Sequence, residues 1–430
     1  MNIDSYRLPE GWTLLPFDTA STGERFMFSA AGRRWQVNAA TAALLETLAA
    51  NPVLARAADE LARRWDREVE PAALAAYLER ELVPAGMVLS PGAAAAAPRK
   101  GRGSLEFLTF RRTLVPARLL FRASSVLSAL FSPRLFWLVF VAAVAVAAWV
   151  LAHAAARGTA LVAAMATPTA VLWMLASALA HELGHAAACR RFGTSHGDLG
   201  FGLYVVFPVL YMEVDETWKL SRGQRAVVDA GGLYFQVLFG LALLAAAQAV
   251  PSLATPALGC LGLIGVALFT NLNPFFRFDG YWLASDLLGV PNLRQRSQRV
   301  MTRGWRRLRG VLPAGERVLP DDFAPRTAAL LAAYAVLSSG FFAYYFVRLL
   351  VAIGRFATGQ YPRLAEDALR SAAGALEAGA PGRALAAVLS LLVATLLVAF
   401  LPLLLLFRVR GILMFWKRGA RAAANGASAG

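Results

Sequence analysis

Cysteine, histidine and lysine are all scarce in this chain of 430 residues. Its two cysteines, Cys189 and Cys260, supply neither a disulfide framework nor a Cys-x-x-Cys metal pair. Three lysines stand against forty arginines, a bias that points to a GC-rich bacterial genome. Charge is thin as well. Only 16% of residues are charged and 58% are hydrophobic, which excludes an ordinary soluble domain of this size. The opening MNIDSYRLPEG has no short apolar segment with a small-residue cleavage site, so no signal peptide is expected.

The apolar residues that replace charge come in blocks. Residues 135–156, 158–180, 230–276, 327–347 and 384–407 contain almost no ionisable groups, and about 20 apolar residues cross a bilayer core. The third block is too long for one helix. Pro251 and Pro256, with Ser252 and Thr255, mark a turn within it. This predicts an α-helical polytopic membrane protein of about six spans. Basic residues then collect on one side: Arg190 and Arg191, Lys219 to Arg225, Arg294 to Arg317, and Arg408 to Arg421. The positive-inside rule puts that side, both termini included, in the cytoplasm of a bacterial inner membrane. This topology accounts for the net charge of +16 without a nucleic-acid partner.

Residues 1–90 read as a small α+β, winged-helix-like domain. Short strands are expected at 12–16, 25–29 and 34–37, followed by helices at 39–49, 52–65 and 71–84, with Asn38 as an N-cap and a closing strand at 86–89. Residues 91–103 form a flexible basic linker. Part of the segment 104–134, which mixes Leu and Phe with arginines, is expected as an amphipathic helix on the inner leaflet. The membrane domain would occupy 135–410, with a cytoplasmic tail at 411–430. Residues 195–214 are aromatic, β-branched and broken by Pro208, which suggests a re-entrant hairpin. Residues 365–381 are Ala-rich and expected to be helical, with no function assigned.

Of four histidines, two stand in His181-Glu182-Leu183-Gly184-His185, at the end of the second span. The i, i+4 spacing puts both imidazoles on one helix face, where they can hold a single Zn²⁺. Glu182 lies beside that metal as a base for its water. A third protein ligand is needed, and Asp279 is the candidate, at the cytoplasmic end of span four. Alternatively, Asp279 N-caps a helix starting at Gly280 or pairs with Arg277. Cys189 lies one turn beyond His185 and is expected to pack, and His196 is expected at the surface.

These motifs resemble the site-2 protease group of intramembrane zinc metallopeptidases. HELGHAAACRRFG, VDETWKLSRGQR, AGGLYFQ and RFDGYWLASDLLGVPNL are similar to its peptide zinc metalloprotease branch, over roughly residues 105–410. The resemblance implies His181, His185 and Asp279 as ligands of one zinc ion and Glu182 as the catalytic base. One departure stands out. Where many site-2 proteases carry Gly-Pro-x-x-Asn, this chain has GGLYFQ. Phe235 falls at the Asn, and Gln236, one residue later, is carried as a substrate-contacting candidate. Residues 9–90 resemble a PqqD-like leader-recognition module, which implies peptide capture along Arg34, Trp35, Gln36 and Val37 beside the helix at 71–84.

The function expected is proteolysis of a ribosomally made precursor peptide captured by its leader, with peptide-modifying enzymes or an exporter as further partners. Asn273 is a candidate hydrogen-bond donor to substrate, or else the start of a turn before Pro274. The rival readings are an intramembrane protease of a membrane-anchored regulator, a non-catalytic export or immunity partner, and a metal transporter. The transporter would need more ligands along the spans than His153 and Cys260 offer.

Overall fold

A computed structural model describes residues 5–92, 108–132, 161–204 and 207–389, with isolated positions between 134 and 145 and at 391, 392 and 395. They fall into two compact units, Met1–Ala335 and Val336–Gly430. The linker, most of the first and sixth expected spans, His153 and the tail lie outside the described residues.

The first unit opens with an antiparallel meander of β1 (Thr13–Pro16), β2 (Arg25–Ala30) and β3 (Arg33–Asn38). Strand residues alternate between two faces, and the alternation divides this sheet sharply. Phe28, Trp35 and Val37 turn toward the helices and join a core built on Leu45, Leu48, Leu61 and Leu78. Met27 and Gln36, paired across the strands, face the other way, as does Arg34. Helix α1 (Ala39–Ala50) starts where the Asn38 carboxamide accepts from Thr41 N–H at 2.8 Å. Helix α2 (Leu54–Trp65) follows, then α3 (Pro71–Tyr77), which Pro71 opens and a wide turn at Leu78–Leu82 prolongs. The strand expected at 86–89 is reduced to a single bridge between Arg7 and Leu89. Truncating the fully buried Phe28 to Ala would cost about 3–5 kcal/mol.

The segment 104–134, part of which is expected as an amphipathic helix, opens with a strand. β4 (Leu108–Val115) pairs with β5 (Leu199–Tyr204), and β5 with β6 (Phe207–Met212), in the order β4-β5-β6. Alternating Phe110, Arg112 and Leu114, between the β-branched Thr113 and Val115, suit a strand better than a helix. The helical part is α4 (Ala117–Leu127) alone.

Helix α5 (Pro168–Arg191) begins at Thr167, whose hydroxyl caps it, ten residues later than the expected span. It crosses α6 (Arg222–Ala249) so closely that a Cβ on Gly184 would lie 2.2 Å from the Gly231 carbonyl oxygen. A Ser221–Gln224 capping box starts α6 eight residues before the apolar block does. The turn expected at Pro251 separates α6 from α7 (Ala254–Asn271). Then come α8 (Asp279–Leu288), α9 (Leu293–Leu308) and α10 (Pro325–Arg355). Three helical stretches, Arg222–Ala249, Pro251–Asn271 and Pro325–Glu377, are long and apolar enough to cross a membrane.

The β1–β2 connection grips this helical part. Ala20 N–H donates to the Gly289 carbonyl at 2.9 Å and Thr22 N–H to that of Asp322 at 2.9 Å. The Asp322 carboxylate also receives Arg25 at 3.1 Å and Arg296 at 2.9 Å. In the second unit, the remainder of α10 is followed by a wide turn at Phe356–Gln360 and α11 (Tyr361–Glu377).

Candidate metal centre

Starting α5 at Pro168 places its last turns, with His181, Glu182 and His185, against α6, and all three side chains are buried. Two acceptors fix the histidines. His181 Nδ1 lies 3.1 Å from Gln236 Oε1, and His185 Nδ1 lies 2.7 Å from the Val228 carbonyl oxygen, both on α6. A carbonyl oxygen only accepts, so each Nδ1 carries a proton, and in the neutral rings each Nε2 presents its lone pair. Those two Nε2 atoms are 3.2 Å apart. Two such lone pairs at that distance repel unless a proton or a metal ion lies between them. Two Zn–N bonds of about 2.0–2.1 Å at a tetrahedral angle would separate the nitrogens by about 3.3 Å.

Asp279 is the first residue of α8, with Phe278 at the cap, so it does not serve as the N-cap itself. Its Oδ2 is 2.9 Å from His181 Nε2 and its Oδ1 3.6 Å from His185 Nε2. No ion pair joins it to Arg277 among the described residues. The loop before α8 is held by Tyr334, whose hydroxyl donates to the Pro274 carbonyl at 2.8 Å. The three ligand atoms lie within 4.8 Å of one another. Two imidazoles and one carboxylate leave a fourth position open, the donor set of a catalytic zinc site.

Glu182, one residue along from His181, lines the same cavity as Met212 at the end of β6. β6 is an edge of its sheet. The cluster opens into a cavity of about 1100 Å³. Its walls include Tyr211 and Met212 of β6, Arg277, and Met27, Arg34 and Gln36 from the outward face of β2 and β3. Arg34 also bonds to Asp215, just beyond β6.

The substrate candidates divide accordingly. Arg34 and Gln36 reach the cavity, whereas Trp35 and Val37 belong to the small domain's own core. Gln236 is buried against His181, where it orients a ligand. Asn273 accepts from Phe275 N–H at 2.9 Å, the turn-forming alternative. His196, expected at the surface, is buried and bonded to Ser124 at 2.9 Å. Cys189 packs among Val228, Tyr234 and Phe235. Sequence reasoning missed the Val228 carbonyl, because a backbone acceptor leaves no trace in residue type. It also missed Gly232, where a Cβ would lie 2.4 Å from His181 Nε2.

A Bacillus subtilis (strain 168) protein named "Putative peptide zinc metalloprotease protein YydH" is 31% identical over 121 residues, 28% of this chain. The match spans about half of that relative's length, 48%. No family model matches the chain, and no solved structure matches it significantly. The similarity is to a peptide zinc metalloprotease, and zinc is the metal it implies.

Proposed function

We propose that the chain is a zinc-dependent endopeptidase of the bacterial cytoplasmic membrane, resembling the site-2 proteases. Its substrate would be a ribosomally synthesised precursor peptide, recognised in part by the PqqD-like N-terminal domain. One observation carries the reading: two mutually facing Nε2 lone pairs and a carboxylate beside Glu182, in a cavity that the small domain helps to wall.

His181, His185 and Asp279 would hold the zinc ion. When bound, zinc supplies a Lewis acid that polarises the scissile carbonyl and makes a water acidic near neutral pH. Glu182 takes the proton of the attacking water. As the C–N bond breaks, it hands that proton to the leaving amine nitrogen. Arg277 lines the cavity with a buried Nε that has no hydrogen-bond partner among the described residues, and it is the cation available to the developing oxyanion. Gln236 and the Val228 carbonyl keep both imidazoles in the tautomer that ligation needs. The β6 edge can pair with an extended chain, and Gln36 Nε2, buried with no hydrogen-bond partner among the described residues, is a spare donor.

The test compares purified wild-type protein with E182Q on two substrates: a short leader-bearing precursor peptide and a single-span membrane protein. Glu182-dependent cleavage of the precursor supports the proposal. Cleavage of the single-span protein alone favours the regulatory protease, and cleavage of neither overturns both.

A further inference from the structure

Arg225 lies in the first turn of α6 and is 6% exposed. Each of its nitrogens has a partner, and each partner belongs to a different segment. Nε donates to Asp286 Oδ1 at 2.8 Å, Nη1 to the Leu220 carbonyl at 2.9 Å, and Nη2 to the Asp18 carbonyl at 3.0 Å. The guanidinium also stacks over Phe17, 4.8 Å from its centroid. A simple ion pair would need only the first of these contacts. Burying a guanidinium is costly, and a buried pair is poor evidence of net stabilisation. What this arrangement fixes is geometry.

Two of the elements joined, α6 and α8, stand at the metal centre. Asp286 stands two turns along α8 from Asp279, the carboxylate ligand. Val228, whose carbonyl orients His185, follows Arg225 by three residues on α6. Phe17 and Asp18 belong to the β1–β2 connection of the N-terminal domain. The Asp18 carboxylate grips α6 a second time, accepting from Arg222 N–H at 2.9 Å. Moving the connection away would strip the guanidinium of one hydrogen bond and one aromatic face, leaving it free to shift against Asp286.

We infer that Arg225 is a positioning residue that couples the seating of the N-terminal domain to the geometry of the zinc site. The inference rests on the metal-site reading above and adds a link that reading does not require. Seating the domain sharpens the site, and unseating it loosens metal affinity at a distance from any ligand.

Full-length protein in detergent tests this with metal alone. Zn²⁺ affinity is measured against a chromophoric chelator, and the d–d spectrum of the Co²⁺ form is recorded, for wild type, R225Q, R225K and F17A. R225Q is expected to bind zinc about tenfold or more weakly, and R225K to recover part of that loss. F17A, which removes the ring stacked on the Arg225 guanidinium and no ligand, is expected to lose about threefold. All three should alter the Co²⁺ bands. Wild-type affinity and an unchanged Co²⁺ spectrum in F17A and in folded R225Q would overturn the coupling. Should R225Q not fold, F17A decides by itself. H181A separates the two ideas: if it binds zinc as wild type does, the metal-site reading fails instead.

Discussion

Gln236 Oε1 lies 3.1 Å from His181 Nδ1, both buried where α6 meets α5. The contact makes Gln236 a support for a ligand. Q236L should keep the fold and weaken zinc binding by about 10- to 100-fold, read by chelator competition. Metal affinity unchanged, with only peptide affinity altered, would return Gln236 to the substrate.

Glu182 has a separable role. E182Q keeps the side chain's shape but cannot accept a proton. Cleavage should fall by about 10²–10⁴-fold while zinc affinity stays near wild type, as shown by metal content after dialysis and by peptide turnover.

Gly232 gives His181 its room. A Cβ there would lie 2.4 Å from Nε2, so G232A must displace the ring or part the helices. Excess zinc stabilises a folded state that binds it by about 2.7 kcal/mol at a hundredfold excess over Kd. Wild type should therefore show a clear rise in Tm with zinc that a chelator reverses. G232A should show little or none. An equal rise in both would remove Gly232 from the argument.

Arg34 and Asp215 form a part-exposed pair at the cavity wall, with 29% and 41% of their side chains accessible. Such pairs contribute about 0–1 kcal/mol. R34A should thus hardly move Tm, yet change KM for a precursor peptide severalfold with kcat nearly constant. A large loss of stability would mean that the pair clamps the domain and does not read substrate.

What the sequence made legible follows from what local pattern encodes. The i, i+4 histidines need only helical spacing, and Asp279 stood out as an acidic residue at the end of an apolar block. The strands and the Asn38 cap were readable because alternation and capping are local. The rest depends on contacts distant in sequence. The apolar block from residue 230 overshadows the Ser221–Gln224 capping box at which α6 begins, which brings Arg225, Val228 and Gln236 onto one helix beside the histidines. The strand β4 leaves no local signal of its pairing, because its partner, β5, lies some ninety residues away. His196 was assigned to the surface because its Ser124 partner is equally remote.

The outward face of β2 and β3 has a further consequence. With Met27, Arg34 and Gln36 on one wall and β6 on another, the way to Glu182 is a cleft of about 1100 Å³. A folded domain of a hundred residues has a radius of gyration near 13 Å and is far too bulky to enter. Extended chain fits such a cleft and a whole folded domain does not. Under the proposed function, selectivity would begin with the conformation of the substrate before any side chain is read.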